Sequence, residues 1–173
     1  MKKLSLFFVL GLFVWAAQVG EVLPHLVLEG QEGGLVDGRA FDSQILSSKT
    51  YLVIYSDPDK KDLNQEFFHK VKKAHFDRSR YGSIAIVNMQ ATWLPSFLLQ
   101  AILKKKQKAY PDTIYVKDKK KVLVKKWGLA DNDQVVMIVK RGKVLFVKNG
   151  KLSPKEQMRA FEILRRSVNG TNR

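Results

Sequence analysis

The chain has 173 residues, no cysteine and a formal net charge of +15. Without cysteine it can form no disulfide, run no thiol redox chemistry and carry no thiolate metal ligand or lipid-modified cysteine anchor. This length suits one domain that buries its own core. The three histidines, His25, His69 and His75, are scattered along the chain, so we predict no metal site and no cofactor.

The first predicted element is a secretory signal. Lys2 and Lys3 precede the apolar run "LSLFFVLGLFVW", and Ala16 and Ala17 follow it. Lysines, a short apolar segment and small residues are the three parts of such a signal. The run is shorter than the ~20 residues that a membrane span needs. We predict cleavage after Ala16, so that residues 1–16 are a signal peptide and residues 17–173 a single domain with no transmembrane span. The alternative is an uncleaved N-terminal anchor.

The first half of the predicted domain alternates strands and helices. Residues 19–48 are broken by glycines and predict short strands, with "HLVLEG" paired to "GGLVD". "TYLVIY" and "SIAIVNM" are continuous apolar runs, which are typical of strands buried on both faces. Between them, a helix is indicated by four apolar residues at helical spacing: Leu63, Phe67, Val71 and Ala74.

The second half opens with a helix over "PSFLLQAILKKKQK", which starts at Pro95 and ends before Tyr110 and Pro111. "DTIYV" and "KVLVKKWGL" are predicted as strands. "QVVMIVKRGKVLFVKNG" indicates a hairpin that turns at Arg141 and Gly142.

A last helix follows the hairpin, with Ser153 as N-cap, Pro154 at its first position and Glu156 at its third. Its apolar side is predicted from Met158, Phe161, Ile163 and Leu164. The whole order predicts an α/β domain with three α/β/α layers, a mixed central sheet and a C-terminal hairpin plus helix, which is the thioredoxin-like order.

Several short motifs resemble those of the YtfJ family of bacterial periplasmic proteins. The resemblance is strongest in "YPDTIYVKDKKKVLVKKWGL" and "VVMIVKRGKVLFVKNGKLSPKE", and "KDLN" at residues 61–64 is similar to the family's Lys-Glu-x-Asn. The matching positions are Tyr110, Pro111, Asp118, Trp127, Leu129, Gly142, Gly150, Leu152 and Ser153. The resemblance implies a thioredoxin fold, a periplasmic location and no settled biochemical activity. The chain departs from the family where Ser56, Asp57 and Pro58 replace a loop containing Gly-Arg.

The tetrad Ser56, Asp57, Pro58 and Asp59 stands where a redox thioredoxin fold carries Cys-x-x-Cys. A hydroxyl and carboxylates cannot cycle between thiol and disulfide. The proline that precedes the hairpin strand in such enzymes is also missing from residues 130–134. We therefore predict no thiol oxidoreductase activity.

Two hypotheses remain for Asp57 and Asp59. A strand followed by Asp-x-Asp resembles the first motif of haloacid-dehalogenase-type phosphatases, with Asp57 as nucleophile and Asp59 as acid/base, assisted by Mg²⁺. However, Lys61 interrupts that motif, and the stretch "DND" at residues 131–133 follows no apolar strand. The favoured interpretation is that one aspartate caps the helix start and Pro58 presets a turn.

The positive charge is concentrated in residues 70–73, 104–108 and 117–126. No aromatic residues are interleaved with these lysines in a recognition motif, so we predict no nucleic-acid partner. The lysines indicate either a solvated surface or attraction to an anionic envelope partner. The sequence thus favours an exported, periplasmic binding module for an unknown protein or anionic partner. The alternative is the phosphatase-like hydrolase.

Overall fold

The structure, a computed structural model, describes residues 16–170. The predicted signal peptide, residues 1–16, therefore lies outside the described residues except for Ala16. No helix among residues 16–170 combines the length and apolar character needed to cross a bilayer.

Within this range, eight strands form two sheets. A six-stranded mixed sheet has the order β2-β6-β5-β4-β7-β8, and β1 and β3 form a separate antiparallel pair. The central strands β4, β5 and β6 run parallel, whereas β2, β7 and β8 are antiparallel to their neighbours. The strands are β1 (Val27–Leu28), β2 (Gly33–Leu35), β3 (Phe41–Asp42), β4 (Thr50–Ser56), β5 (Tyr81–Asn88), β6 (Thr113–Asp118), β7 (Gln134–Lys140) and β8 (Lys143–Asn149).

The four helices of the described range are α1 (Gln65–Lys73), α2 (Ser96–Ala109), α3 (Val122–Trp127) and α4 (Pro154–Asn169). Three of them, α1, α2 and α4, cover one face of this sheet. Phe67 of α1 and Leu164 of α4 pack with Leu52 in one apolar cluster. Leu99 and Leu103 of α2 pack beside them on β6, against Tyr115.

The opposite face of the sheet carries its own layer. Val53 and Tyr55 of β4 are buried there against Leu123 and Trp127 of α3 and Phe41 of the N-terminal segment. The mixed α/β arrangement with layers on both faces is confirmed, and the two apolar runs predicted as buried strands are β4 and β5.

The predicted pairing of the N-terminal strands is wrong. β1 pairs with β3, and β2 joins the main sheet beside β6. Gly33 and Gly34 both have positive φ, and a Cβ on Gly33 would collide with the carbonyl oxygen of Lys117. The glycines therefore permit a close approach of β2 to β6 that a local hairpin pattern does not reveal.

The predicted strand over "KVLVKKWGL" is also wrong, because residues 122–127 form helix α3. The buried carboxylate of Asp118 accepts hydrogen bonds from the backbone N–H groups of Val122 (2.9 Å) and Leu123 (3.0 Å). Free N–H groups at a helix start need such acceptors. Lys121 and Gly128, in left-handed conformation, flank this single short helix.

The C-terminal expectations hold with one exception. β7 and β8 form the predicted hairpin with Arg141 and Gly142 at its turn, both at positive φ. Ser153 and Glu156 form a reciprocal capping box at the start of α4. The exception is Met158, which is 60% exposed and lies outside the apolar side of α4.

The outer edge of β8 is covered at its beginning by residues 20–22. The N–H of Gly20 donates to the carbonyl of Val144, and the N–H of Val144 donates to the carbonyl of Glu21, both at 2.8 Å. Val22 forms a bridge with Lys143. The segment that follows the predicted cleavage site is thus part of the folded domain.

Candidate functional site at the carboxyl edge of the sheet

Polar side chains gather where the three parallel strands end. Ser56 ends β4, Asn88 ends β5 and Asp118 ends β6. Because β7 is antiparallel to β4, its first residue, Gln134, pairs with Ser56 at the same edge. This carboxyl edge is where open α/β sheets usually bind ligands.

Asp57 lies buried at this edge, with 6% of its surface exposed. Its carboxylate accepts a hydrogen bond from the N–H of Asp59 at 2.8 Å, and its own N–H donates to the carbonyl of Asp133 at 3.0 Å. Asp57 is the N-cap of a 3₁₀ turn over Pro58–Lys60. The turn-forming role expected of Pro58 is therefore present.

The cap does not belong to the first helix, in contrast to the favoured sequence interpretation. α1 begins at Gln65, and its N-cap is Asn64. Asp59 is exposed, and its carboxylate accepts a hydrogen bond of 3.3 Å from the hydroxyl of Thr92. The two aspartates thus occupy different environments.

Asn64 and Gln134 form the centre of a buried hydrogen-bond network. The Asn64 amide donates to Gln134 Oε1 (2.9 Å) and to the Gly150 carbonyl (3.1 Å), and its oxygen accepts from the N–H of Leu152 (2.8 Å). Gln134 Nε2 donates to the hydroxyl of Ser56 at 3.0 Å. We call Ser56, Asp57, Asn64 and Gln134 the edge cluster.

A second network begins on the opposite face of the same edge. The hydroxyl of Tyr55 donates to Asp118 at 3.2 Å, and burial together with the nearby Asp118 charge raises the pKa of Tyr55. Asn88 Nδ2 donates to the Asp131 carboxylate at 2.9 Å, and Lys121 Nζ lies 2.7 Å from the same carboxylate. The Lys121 hydrogen bond holds the pKa of Asp131 below its usual range.

These two networks leave no buried reactive group without a partner. Every buried side-chain nitrogen and oxygen among the described residues has a hydrogen-bond partner. Within residues 16–170, no three Asp, Glu or His side chains are grouped to hold a metal ion. The predicted Mg²⁺-dependent pair therefore lacks a third acidic partner in the part of the chain that the structure describes.

The three histidines lie outside the edge cluster. His25 contacts Asp42 at 2.8 Å, and His69 and His75 are exposed on and just after α1. They contribute nothing to the edge cluster.

The three lysine-rich regions differ in their environments. Lys70, Lys72 and Lys73 are exposed on α1. In the third region, Lys117 is 6% exposed, and burial and neighbouring lysines lower its pKa. Lys121 is ion-paired, so the third region is only partly a solvated surface.

A feature that the sequence interpretation did not single out is the apolar surface at the start of α2. Trp93 is 84% exposed and Phe97 75% exposed, just beyond the exposed Asp59. The signal was present in the sequence, because apolar residues occur at consecutive positions 97–99 and again at 102 and 103. One buried face of a helix cannot accommodate them all.

A separate hollow of about 1020 Å³ lies between the β2–β3 connection and the end of α2. Leu35, Phe41 and Ile114 contribute apolar side chains, and Lys104 and Gln107 lie on its α2 side. None of Ser56, Asp57, Pro58 or Asp59 lines it, so it is distinct from the carboxyl edge.

Comparison with known proteins places this chain in a family. The family described as "Bacterial protein of unknown function (YtfJ_HI0045)" matches residues 26–167. An uncharacterized protein of Haemophilus influenzae is 32% identical over 95 residues, which are 54% of this chain and 52% of that protein. Uncharacterized protein YtfJ of Escherichia coli is 26% identical over 108 residues, 61% of this chain and 59% of its own length. The matches thus span just over half the length of these curated relatives.

Solved structures confirm the thioredoxin-like fold. A thiol peroxidase from Chromobacterium violaceum superposes with a TM-score of 0.63 at 8% identity, covering 90% of each chain. The thioredoxin domain of a thiol-disulfide oxidoreductase from Bacteroides vulgatus gives a TM-score of 0.53 at 13% identity, covering 85% of this chain and 97% of its own. At such identities the likeness concerns the fold alone. This chain has that fold without any cysteine.

Proposed function

The chain belongs to the YtfJ family of bacterial proteins, and from that premise we propose that it is an exported, periplasmic binding protein that has lost the redox chemistry of its fold. It consists of a signal peptide, residues 1–16, and a single domain, residues 17–173. It binds a protein or an anionic envelope component and catalyses no reaction.

The observation that carries this proposal is that the polar side chains of the edge cluster are already engaged in hydrogen bonds within the domain. At the position of the redox cysteines, the carboxylate of Asp57 caps its own turn. The hydroxyl of Ser56 accepts a hydrogen bond from Gln134, which in turn bonds to Asn64. A nucleophile must have a free lone pair directed at a substrate and a nearby base. These groups are instead used to connect β4, α1 and β7.

The alternative phosphatase-like function finds less support. It requires Asp57 and Asp59 to face one substrate and a metal, but Asp57 is buried whereas Asp59 is exposed and bonded to Thr92. Asp131, another acidic side chain at this edge, forms an ion pair with Lys121 at 2.7 Å.

Export is supported by the N-terminal sequence and by the position of the domain's first residues. Lys2, Lys3 and the apolar run precede Ala16. Directly after the predicted cut, the N–H of Ala17 donates to the carbonyl of Trp127 at 2.8 Å. A cut after Ala16 would turn this N–H into an α-ammonium group, which can still donate to the same carbonyl.

A cell-fractionation and hydrolysis experiment tests the proposal. N-terminal sequencing of the protein from the periplasmic fraction should give Ala17 as the first residue. The same protein should release no phosphate from a generic phosphate ester in the presence of Mg²⁺. Unprocessed chain confined to the cytoplasm would contradict export. A Mg²⁺-dependent rate that disappears in D57N, with folding retained, would contradict the binding role and establish the hydrolase.

A further inference from the structure

The surface at the start of α2 combines exposed apolar side chains at an unusual density. We define the α2 segment as residues 91–110. Besides Trp93 and Phe97, it exposes Leu98 by 41% and Ile102 by 38%. Large apolar patches on a soluble domain generally mark a binding surface.

The same segment carries only one sign of charge. It contains four lysines and no aspartate or glutamate. Lys104, Lys105 and Lys108 are all exposed on α2. A partner of this segment must therefore tolerate apolar groups and positive charge together.

Helical spacing brings the two kinds of side chain onto one side. Phe97 and Lys104 are seven residues apart, as are Leu98 and Lys105, so each pair projects in nearly the same direction. Leu99 and Leu103 occupy the buried side against Tyr115. The outward side of α2 is thus apolar in its first two turns and basic in its last two.

Trp93 and Phe97 lie outside both hollows beside α2. The hollow of about 1020 Å³ meets α2 only in its last turns, at Lys104, Gln107 and Lys108, and its lining excludes Trp93 and Phe97. A second hollow of about 410 Å³, beside Ser96 and Gln100, excludes them too. Protruding aromatic tips suit a deformable, flat partner better than they suit a side chain seeking a pocket.

We propose that the α2 segment docks on an anionic phospholipid surface. Trp93, Phe97, Leu98 and Ile102 enter the boundary between headgroups and acyl chains, while the lysines of the last two turns contact lipid phosphates. Interfacial helices also combine tryptophan, phenylalanine or leucine with lysines, on opposite faces; on α2 the two kinds of side chain follow one another along one side. The inference rests on the proposed function, since it names the partner of that binding protein.

Two forces act together in this docking. Each lysine near an anionic surface adds an attraction that salt screens over ~8 Å. The apolar side chains add a term that salt does not screen. Binding should therefore require both anionic lipid and the aromatic pair.

Vesicle partition measures both requirements. The probe is an equimolar mixture of phosphatidylglycerol and phosphatidylcholine, compared with pure phosphatidylcholine, and the protein is the processed form from cells. We expect about tenfold or greater preference for the anionic vesicles at low salt, falling as salt rises. Trp93 emission should shift to the blue, since Trp93 is exposed whereas Trp127 is fully buried.

Matched variants assign the effect to this surface. W93S/F97S should lower partition about tenfold, while M158S, which removes an exposed apolar side chain from α4, should leave it unchanged. K104E/K105E should lower partition about tenfold more than the control pair K151E/K155E does. The control changes the net charge by the same amount, but near the start of α4. All variants share one N-terminus, so any contribution of that segment cancels.

Three outcomes would overturn the inference. One is equal loss in M158S and W93S/F97S, and another is equal partition onto neutral vesicles. The third is no partition together with self-association that W93S/F97S abolishes, which would assign the patch to a second copy of the chain. None of these involves hydrolysis or processing, so a failure here is separate from a failure of the proposed function.

Discussion

The edge cluster and the α2 segment lie near each other, since Thr92 donates to Asp59 and the N–H of Asp59 donates to Asp57, yet they are built in opposite ways. The edge cluster consists of buried polar residues whose buried side-chain atoms all have hydrogen-bond partners within the described part of the chain. The α2 segment begins with apolar residues that are left in solvent. From residue types alone, the polar edge cluster would be assigned a chemical role and the apolar residues of the α2 segment a place in the core. Burial and hydrogen bonding indicate the opposite, because the polar groups are buried and bonded whereas the apolar groups are exposed.

The largest effect that would test this contrast is expected at Asn64. N64A removes three hydrogen bonds and leaves Gln134 Oε1 and the N–H of Leu152 without their partner. Unpaired buried polar groups cost about 1–3 kcal/mol each, so the free energy of unfolding should fall by about 3 kcal/mol. Urea unfolding measures it.

The control for this variant is Q65A. Gln65 is exposed on the next position and bonds only to Asp62 among the described residues, so its removal should cost less than about 0.5 kcal/mol. Similar losses in N64A and Q65A would show that the edge cluster does not hold the domain together.

The two aspartates should differ by a smaller amount. D57A removes the cap of the 3₁₀ turn and should cost about 1 kcal/mol. D59A removes an exposed carboxylate and should change stability by less than about 0.5 kcal/mol. Thermal unfolding of both variants checks this order, and a larger loss in D59A would reverse the structural roles given to the pair.

Glu156 gives a pH-dependent test outside both regions. Hydrogen bonds from Lys148 and from the backbone and hydroxyl of Ser153 lower the pKa of Glu156 to about 2, from an ordinary value of 4.5. A depressed carboxylate pKa contributes stability above the unfolded value, and that contribution is lost as pH falls toward the folded value. The Tm of E156Q should therefore lie slightly below that of the wild type at neutral pH.

The Tm difference should close between about pH 4.5 and about pH 2, as followed by thermal scans. In a K148M background the Tm difference at neutral pH should be smaller, because the hydrogen bond from Lys148 is the main cause of the lowered pKa of Glu156. A difference that is constant with pH would mean that charge is not its origin.

The smallest effect should come from the α2 segment. W93S/F97S should alter the free energy of unfolding by less than about 0.5 kcal/mol, because neither side chain is buried. Urea unfolding would sharpen the contrast with N64A. A loss above about 2 kcal/mol would place these aromatics in the fold and remove the basis for a docking surface.

Local patterns were sufficient to predict much of the fold. The runs that became β4 and β5, the hairpin at Arg141 and Gly142 and the capping box of Ser153 and Glu156 all depend on residues close in sequence. The strand prediction over "KVLVKKW" was wrong because the apolar run at residues 122–124, with two β-branched valines, favours a strand when read locally. The observed helix depends on the buried Asp118 side chain accepting two backbone hydrogen bonds.

The candidate site was predictable in position but not in construction. Strand ends indicated Ser56 and Asp57, whereas the partners of Asn64 lie 70, 86 and 88 residues away in the chain. No periodicity or turn signal reports contacts across such separations. The exposure of Trp93 and Phe97 likewise depends on which side of α2 meets Tyr115.

Residues 20–22, which lie along the outer edge of β8, bear on whether the protein associates with itself. Residues 20–22 occupy the backbone donors and acceptors at the start of this outermost strand. An uncovered strand edge is a template for pairing with another molecule. A chain that lacked residues 17–22 would leave these donors and acceptors of β8 without their present partners. We therefore expect such a shortened chain to associate edge to edge more readily than a chain that begins at Ala17.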